Sequence, residues 1–109
     1  MMDEIFNFLE ALASGELLRK DTVDTTYLTN GNTLWLIDTC ETADCGWETA
    51  IQIEYKGSSI LDWVVVERYP DKSAAEMGHR IWCDDIEKNQ TTYFYSVQDK
   101  CIYGVDIVE

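Results

Sequence analysis

The chain has 109 residues, with 21 Asp+Glu against 8 Lys+Arg and a formal net charge of −13 at pH 7. Its 46% hydrophobic content is that of a folded chain, and its length suits one domain over residues 1–109 and leaves little room for two. So few cations argue against direct binding to DNA, RNA or an anionic membrane, whose phosphates need Lys and Arg.

The start, Met1-Met2-Asp3-Glu4, is acidic where a secretory signal would be basic, and no apolar run is long enough to span a bilayer. Both points suggest the cytosol. Ile5, Phe6, Phe8, Leu9 and Leu12 recur at helical spacing, so Asp3 to Ala13 is expected to be a first helix that stops at Ser14-Gly15. Glu16 to Asp24 shows no clear period.

A hairpin follows. Thr25-Thr26-Tyr27-Leu28 and Thr33-Leu34-Trp35-Leu36-Ile37 are β-rich and flank the turn signal Asn30-Gly31. The polar stretch Asp38 to Gly46 reads as an exposed loop. Trp47 to Tyr55 alternates cleanly: Trp47, Thr49, Ile51, Ile53 and Tyr55 share one face, and Glu48, Ala50, Gln52 and Glu54 an acidic outer one. Lys56 to Ser59 is a turn. Ile60 to Tyr69 is the next strand, and its Val64-Val65-Val66 run suggests a central position buried on both faces.

Pro70 ends that strand, and Ser73 with Glu76 forms a capping box for a second helix. Ala74, Ala75, Gly78, Ile81, Trp82 and Ile86 fall on its apolar face, where Gly78 suggests close packing on the sheet. Tyr93 to Val97 and Ile102 to Val108 are two closing strands. The order predicts an α+β single domain, a mostly antiparallel sheet of five to six strands with two helices packed on one face.

Few residues carry obvious chemistry. His79 is the only histidine, and its natural partner Cys83 lies i, i+4 on the same helix, which leaves no room between them for a substrate. It reads better as a surface residue beside the apolar face. Asp84, Asp85 and Glu87 point in different directions on a helix and do not converge on one ion. There is no EF-hand and no glycine-rich phosphate loop. These absences disfavour an enzyme and predict no cofactor. A competing reading takes Cys40, Cys45, His79 and Cys83 as a zinc or thiol site, since Cys-x4-Cys and His-x3-Cys fall near structural-zinc spacings.

What remains is the acidity, beyond what solubility needs in a small domain. Asp38, Glu41, Asp44, Glu48, Glu54, Glu67, Asp84, Asp85 and Glu87 are candidates for docking on a basic partner, and Tyr93 and Tyr95 share a strand face suited to recognition. The bland alternative is a structural or housekeeping protein that is acidic only for solubility.

Trp47-Glu48-Thr49-Ala50, Val66-Glu67-Arg68-Tyr69 and Ala74-Ala75-Glu76-Met77-Gly78-His79 together resemble a pattern of small uncharacterised phage and prophage proteins: a "Y-E-T" strand, an "E-R-Y" strand end and an "E-A-x-x-G-H" helix. The resemblance covers about half of the chain and departs from the pattern at Trp47, where tyrosine is usual, and at Ala74. It transfers no catalytic residue and implies an origin in a mobile element. Small acidic phage proteins are similar in character to anti-CRISPR and other anti-defence inhibitors. The expectation is therefore a non-enzymatic inhibitor or adaptor in the host cytosol. It would bind a basic nucleic-acid-handling protein, such as a CRISPR effector, by electrostatic mimicry.

Overall fold

The computed structural model describes residues 19–107, with side chains from residue 22 onward. The elements run β1 (Arg19–Asn30), β2 (Thr33–Thr42), β3 (Gly46–Tyr55), β4 (Ser58–Tyr69), α1 (Lys72–Asn89), β5 (Tyr93–Ser96) and β6 (Cys101–Gly104). Strands β1 to β4 form one antiparallel sheet in chain order, and β5 and β6 form a separate antiparallel hairpin. The fold is α+β, but the expected single sheet of five to six strands is a four-stranded sheet plus a hairpin. The helix expected over Asp3 to Ala13 lies outside the described residues. Among the described residues one helix packs on the sheet.

The interior strands are β2 and β3, not β4. All of Thr33 to Cys40 is buried, whereas β4 ends the strand order. The stretch from Asp38 was expected to be an exposed loop, yet β2 continues through it to Thr42 and the real turn is Ala43 to Cys45. Its polar residues tolerate burial because they are bonded: Asp38 Oδ1 accepts from Thr25 Oγ1 at 2.7 Å, and Thr39 Oγ1 meets Thr49 Oγ1 and His79 Nδ1.

One sheet face holds the main core. Trp35, Ile37, Ile51, Ile53, Leu61, Val64 and Val66 meet Ile86 of α1 and Phe94 of β5. Each such side chain contributes roughly 1.5–3 kcal/mol on burial, so this layer dominates cohesion. The helix covers the β1–β2 side and the hairpin reaches β4, where Val97 N donates to Val65 O at 2.9 Å. Trp82 joins helix to hairpin, its ring centroid 6.3 Å from that of Phe94. The opposite sheet face carries a smaller cluster of Leu34, Leu36 and Trp63, beside the fully buried Gln52.

Helix α1 starts two residues earlier than the capping box implied. Asp71 is the N-cap, and its carboxylate accepts from Ala74 N at 2.8 Å. The buried stripe is Ala75, Gly78, His79 and Ile86, so the expected apolar face is rotated: Ile81 is 62% exposed and His79 only 3%. A histidine can replace an aliphatic residue there because the sheet supplies hydroxyls for both of its nitrogens.

Candidate functional site

Beneath α1, side chains from four strands and the helix form a continuous polar chain. Tyr69 Oη meets Thr49 Oγ1 at 2.8 Å, Thr49 meets Thr39 at 2.5 Å, Thr39 meets His79 Nδ1 at 2.7 Å, and His79 Nε2 meets Thr26 Oγ1 at 2.8 Å. Burial pushes the Tyr69 phenol up to about 12, with the Thr49 hydrogen bond opposing and Glu67 acting in the same direction, so it stays protonated. A neutral imidazole has one N–H and one bare nitrogen, so His79 donates to one of its two threonine hydroxyls and accepts from the other. Burial lowers the His79 pKa, although Asp24 and Asp38 oppose it. A neutral ring with both nitrogens engaged holds the helix on the sheet. It is not placed to act on an outside substrate.

The cysteines do not gather around it. Cys40 is buried on the strand face opposite His79, Cys45 is exposed in the β2–β3 turn, Cys83 is half-buried on α1 and Cys101 is exposed on β6. None of the four forms a disulfide with another. Burial pushes the Cys83 thiol up, with Asp24 and Glu87 acting in the same direction and the Thr26 hydrogen bond against it. Among the described residues, no group of three or more His, Cys, Asp and Glu side chains could hold a metal ion. The set Cys40, Cys45, His79 and Cys83 is thus split between two faces and a turn.

The acidic candidates occupy diverse places. Asp38 is 4% exposed and bound to Thr25, so it is no docking group. Glu48 is half-buried opposite Arg68, whose Nε lies 3.5 Å away, and desolvation raises its carboxyl despite that partner. Glu41 and Glu54 are half-buried and Asp44 is exposed in the turn. The expected acidic outer face of β3 is therefore not an outer face: it includes the fully buried Gln52. Asp84 accepts from Lys88 Nζ at 2.9 Å. Glu67 accepts from Trp82 Nε1 at 2.9 Å, and Asp85 from Asn89 and Thr91. The carboxylates are spread over the strands, the helix and the turns, with no single ridge.

Tyr93 and Tyr95 are brought together as expected. They alternate with buried Phe94 and Ser96, and their exposures are 60% and 53%. Register places Ile102, 71% exposed, opposite Tyr95, and Gly104 opposite Tyr93. The hairpin's outer face is thus an exposed patch of two tyrosines and an isoleucine. Clefts open around it and along α1. One of about 630 Å3 includes Asp106 in its lining, a smaller one of about 90 Å3 includes Glu87, and a third of about 230 Å3 lies between Glu67, Ile81, Trp82 and Asp85. Among the described residues, no Lys or Arg lines these three clefts.

The two clefts at Asp106 and Glu87 share Trp35, Asn30 and Gln90. Gln90 caps α1 in the left-handed region, with φ 49°, which is uncommon away from glycine. Asn30 Nδ2 donates to its Oε1 at 2.7 Å, and Trp35 Nε1 donates to the neighbouring Thr91 O at 2.9 Å. These contacts fix the end of the helix against the β1–β2 turn. Sequence reasoning missed Asn30, Gln90 and Asp106, and no local motif marks them.

The chain matches no family model, no curated protein and no solved structure.

Proposed function

We propose that the chain is a non-enzymatic binding module, a phage-type inhibitor or adaptor. It would act in the host cytosol on a basic nucleic-acid-handling protein, such as a CRISPR effector. One observation carries this reading: among the described residues the clefts at Asp106, Glu87 and Glu67–Asp85 are lined by carboxylates without Lys or Arg, and the Asp106 cleft takes in Tyr93 of the exposed Tyr93, Tyr95 and Ile102 patch. Tyrosine and isoleucine supply contact area, while the net charge of −13 draws a cationic partner and sets its orientation. The scattered carboxylates make the charge a long-range attraction, and the hairpin and its clefts the contact. The phage-type assignment rests on the sequence resemblance alone. Among the described residues no helix is long and apolar enough to cross a membrane.

The test is capture of partners from a bacterial lysate at ~50 mM and ~500 mM salt, with wild-type protein and with Tyr95→Ala. A partner that is basic, is lost at high salt and is lost with Tyr95→Ala supports the reading. Capture that ignores both salt and Tyr95 removes it.

A further inference from the structure

We infer that the 630 Å3 cleft between the β1–β2 turn, the end of α1 and the hairpin is a receptor for an arginine side chain of a bound protein. This inference rests on the docking function proposed above and names the group recognised.

The cleft has the parts such a side chain needs. Trp35, Val105 and Ile107 supply apolar wall for its methylene stem. Asp106 supplies a carboxylate, and Tyr93 Oη donates to its Oδ1 at 3.0 Å. That bond ties the acid to an aromatic ring, so charge and π-face are presented together. A guanidinium uses both, since it pairs with carboxylates through a planar fork and stacks on aromatic faces. Asn30 and Gln90 add amide oxygens at the rim, held by their mutual hydrogen bond.

The site is also preset. Gly104 lies under the Tyr93 ring, and a Cβ there would come closer than 3.0 Å to two ring atoms. The ring lies against the opposite strand, and from there its hydroxyl reaches Asp106. Smaller and continuous with this cleft through Asn30, Trp35 and Gln90, the depression at Glu87 places a second carboxylate on the far side of the amide pair. An extended basic segment crossing the amide pair would meet an acid on each side.

The experiment is an NMR titration of the full chain with Ac-Gly-Arg-Gly-NH2, its lysine counterpart and its citrulline counterpart, which is isosteric and neutral. The arginine peptide should shift the Trp35 indole N–H and the Asn30 and Gln90 amide signals in a saturable way. Citrulline should shift none of them, and lysine should bind more weakly. Asp106→Asn keeps an acceptor for Tyr93 but removes the charge. It should weaken the arginine peptide roughly tenfold, the usual worth of a charge-assisted hydrogen bond. Equal binding of citrulline or lysine, undiminished binding by Asp106→Asn, or shifts scattered over the acidic surface without saturation would each overturn the assignment. Lysate capture separates the two ideas. A partner lost with Tyr95→Ala but kept with Asp106→Asn removes the arginine site and leaves the docking function. Saturable peptide binding without any salt-sensitive partner removes the docking function and leaves the site.

Discussion

The Tyr69 ring lies directly against the α-carbon of Gly78: a Cβ at that position would come closer than 3.0 Å to its Cε1, Cζ and Oη. This contact lets the last residue of β4 pass under α1 and put its hydroxyl on Thr49, 2.8 Å away. A glycine inside a helix costs about 1 kcal/mol relative to alanine, and here that cost is offset by the ring it admits.

Gly78→Ala should therefore destabilise the protein by about 1–3 kcal/mol, the range for overpacking, even though it improves helix propensity. Urea denaturation measures the sign. A gain in stability would show that the ring swings aside freely, and that the polar chain from Tyr69 to His79 contributes little.

The neutral His79 gives a pH dependence with a defined direction. Its folded pKa lies below the ordinary 6.5, first because of burial, with Asp24 and Asp38 opposing. The unfolded chain therefore binds the proton more readily. The contribution is fully present above pH 6.5 and is lost as pH falls through the lower folded value. Glu48, raised by desolvation, acts in the opposite sense at lower pH, so wild type and His79→Gln must be compared. The melting temperature of wild type should fall between pH 7 and pH 5 by more than that of His79→Gln. Parallel curves would mean that His79 keeps an ordinary pKa.

The regular parts of the fold were legible and the satisfied polar parts were not. Trp47 to Tyr55 could be read because it alternates without a break, and its bounds differ by one residue from β3. The start of β1 was hidden because register shifts at Arg19/Asp21 and Thr22/Asp24 break the alternation. The end of β2 and the burial of His79 were hidden for another reason. Asp38, Thr39 and His79 look solvent-facing until their partners Thr25, Thr49 and Thr26 are known, and those come from other strands. The Asp106 cleft joins Asn30 to Gln90, 60 residues apart, a distance over which no spacing rule operates.

Gln52 is a polar residue whose burial is only half satisfied. Its Nε2 donates to Ser59 Oγ at 3.0 Å, but its buried Oε1 has no hydrogen-bond partner among the described residues. An unmet buried acceptor costs about 1–3 kcal/mol, more than a single neutral hydrogen bond returns. Gln52→Met keeps the length of the side chain and removes both polar atoms, so thermal denaturation should show equal or higher stability. A loss above about 1 kcal/mol would mean that the amide makes a contact worth more than its desolvation.

The hairpin separates stability from recognition by strand alternation, which adjacent substitutions can test. Phe94 is 2% exposed and packs with Trp82 in the main core, whereas Tyr95 is 53% exposed on the other face of the same strand. Phe94→Ala should cost about 3–5 kcal/mol, the range for emptying an aromatic core site, and lower partner binding only through loss of folded protein. Tyr95→Ala should leave the melting temperature near that of wild type and abolish capture of the basic partner. If Tyr95→Ala instead lowers stability as much as Phe94→Ala, the outer face is part of the packed core. A hairpin with both faces needed for folding would have no surface left over for a partner, and the exposed tyrosines would lose their place in recognition.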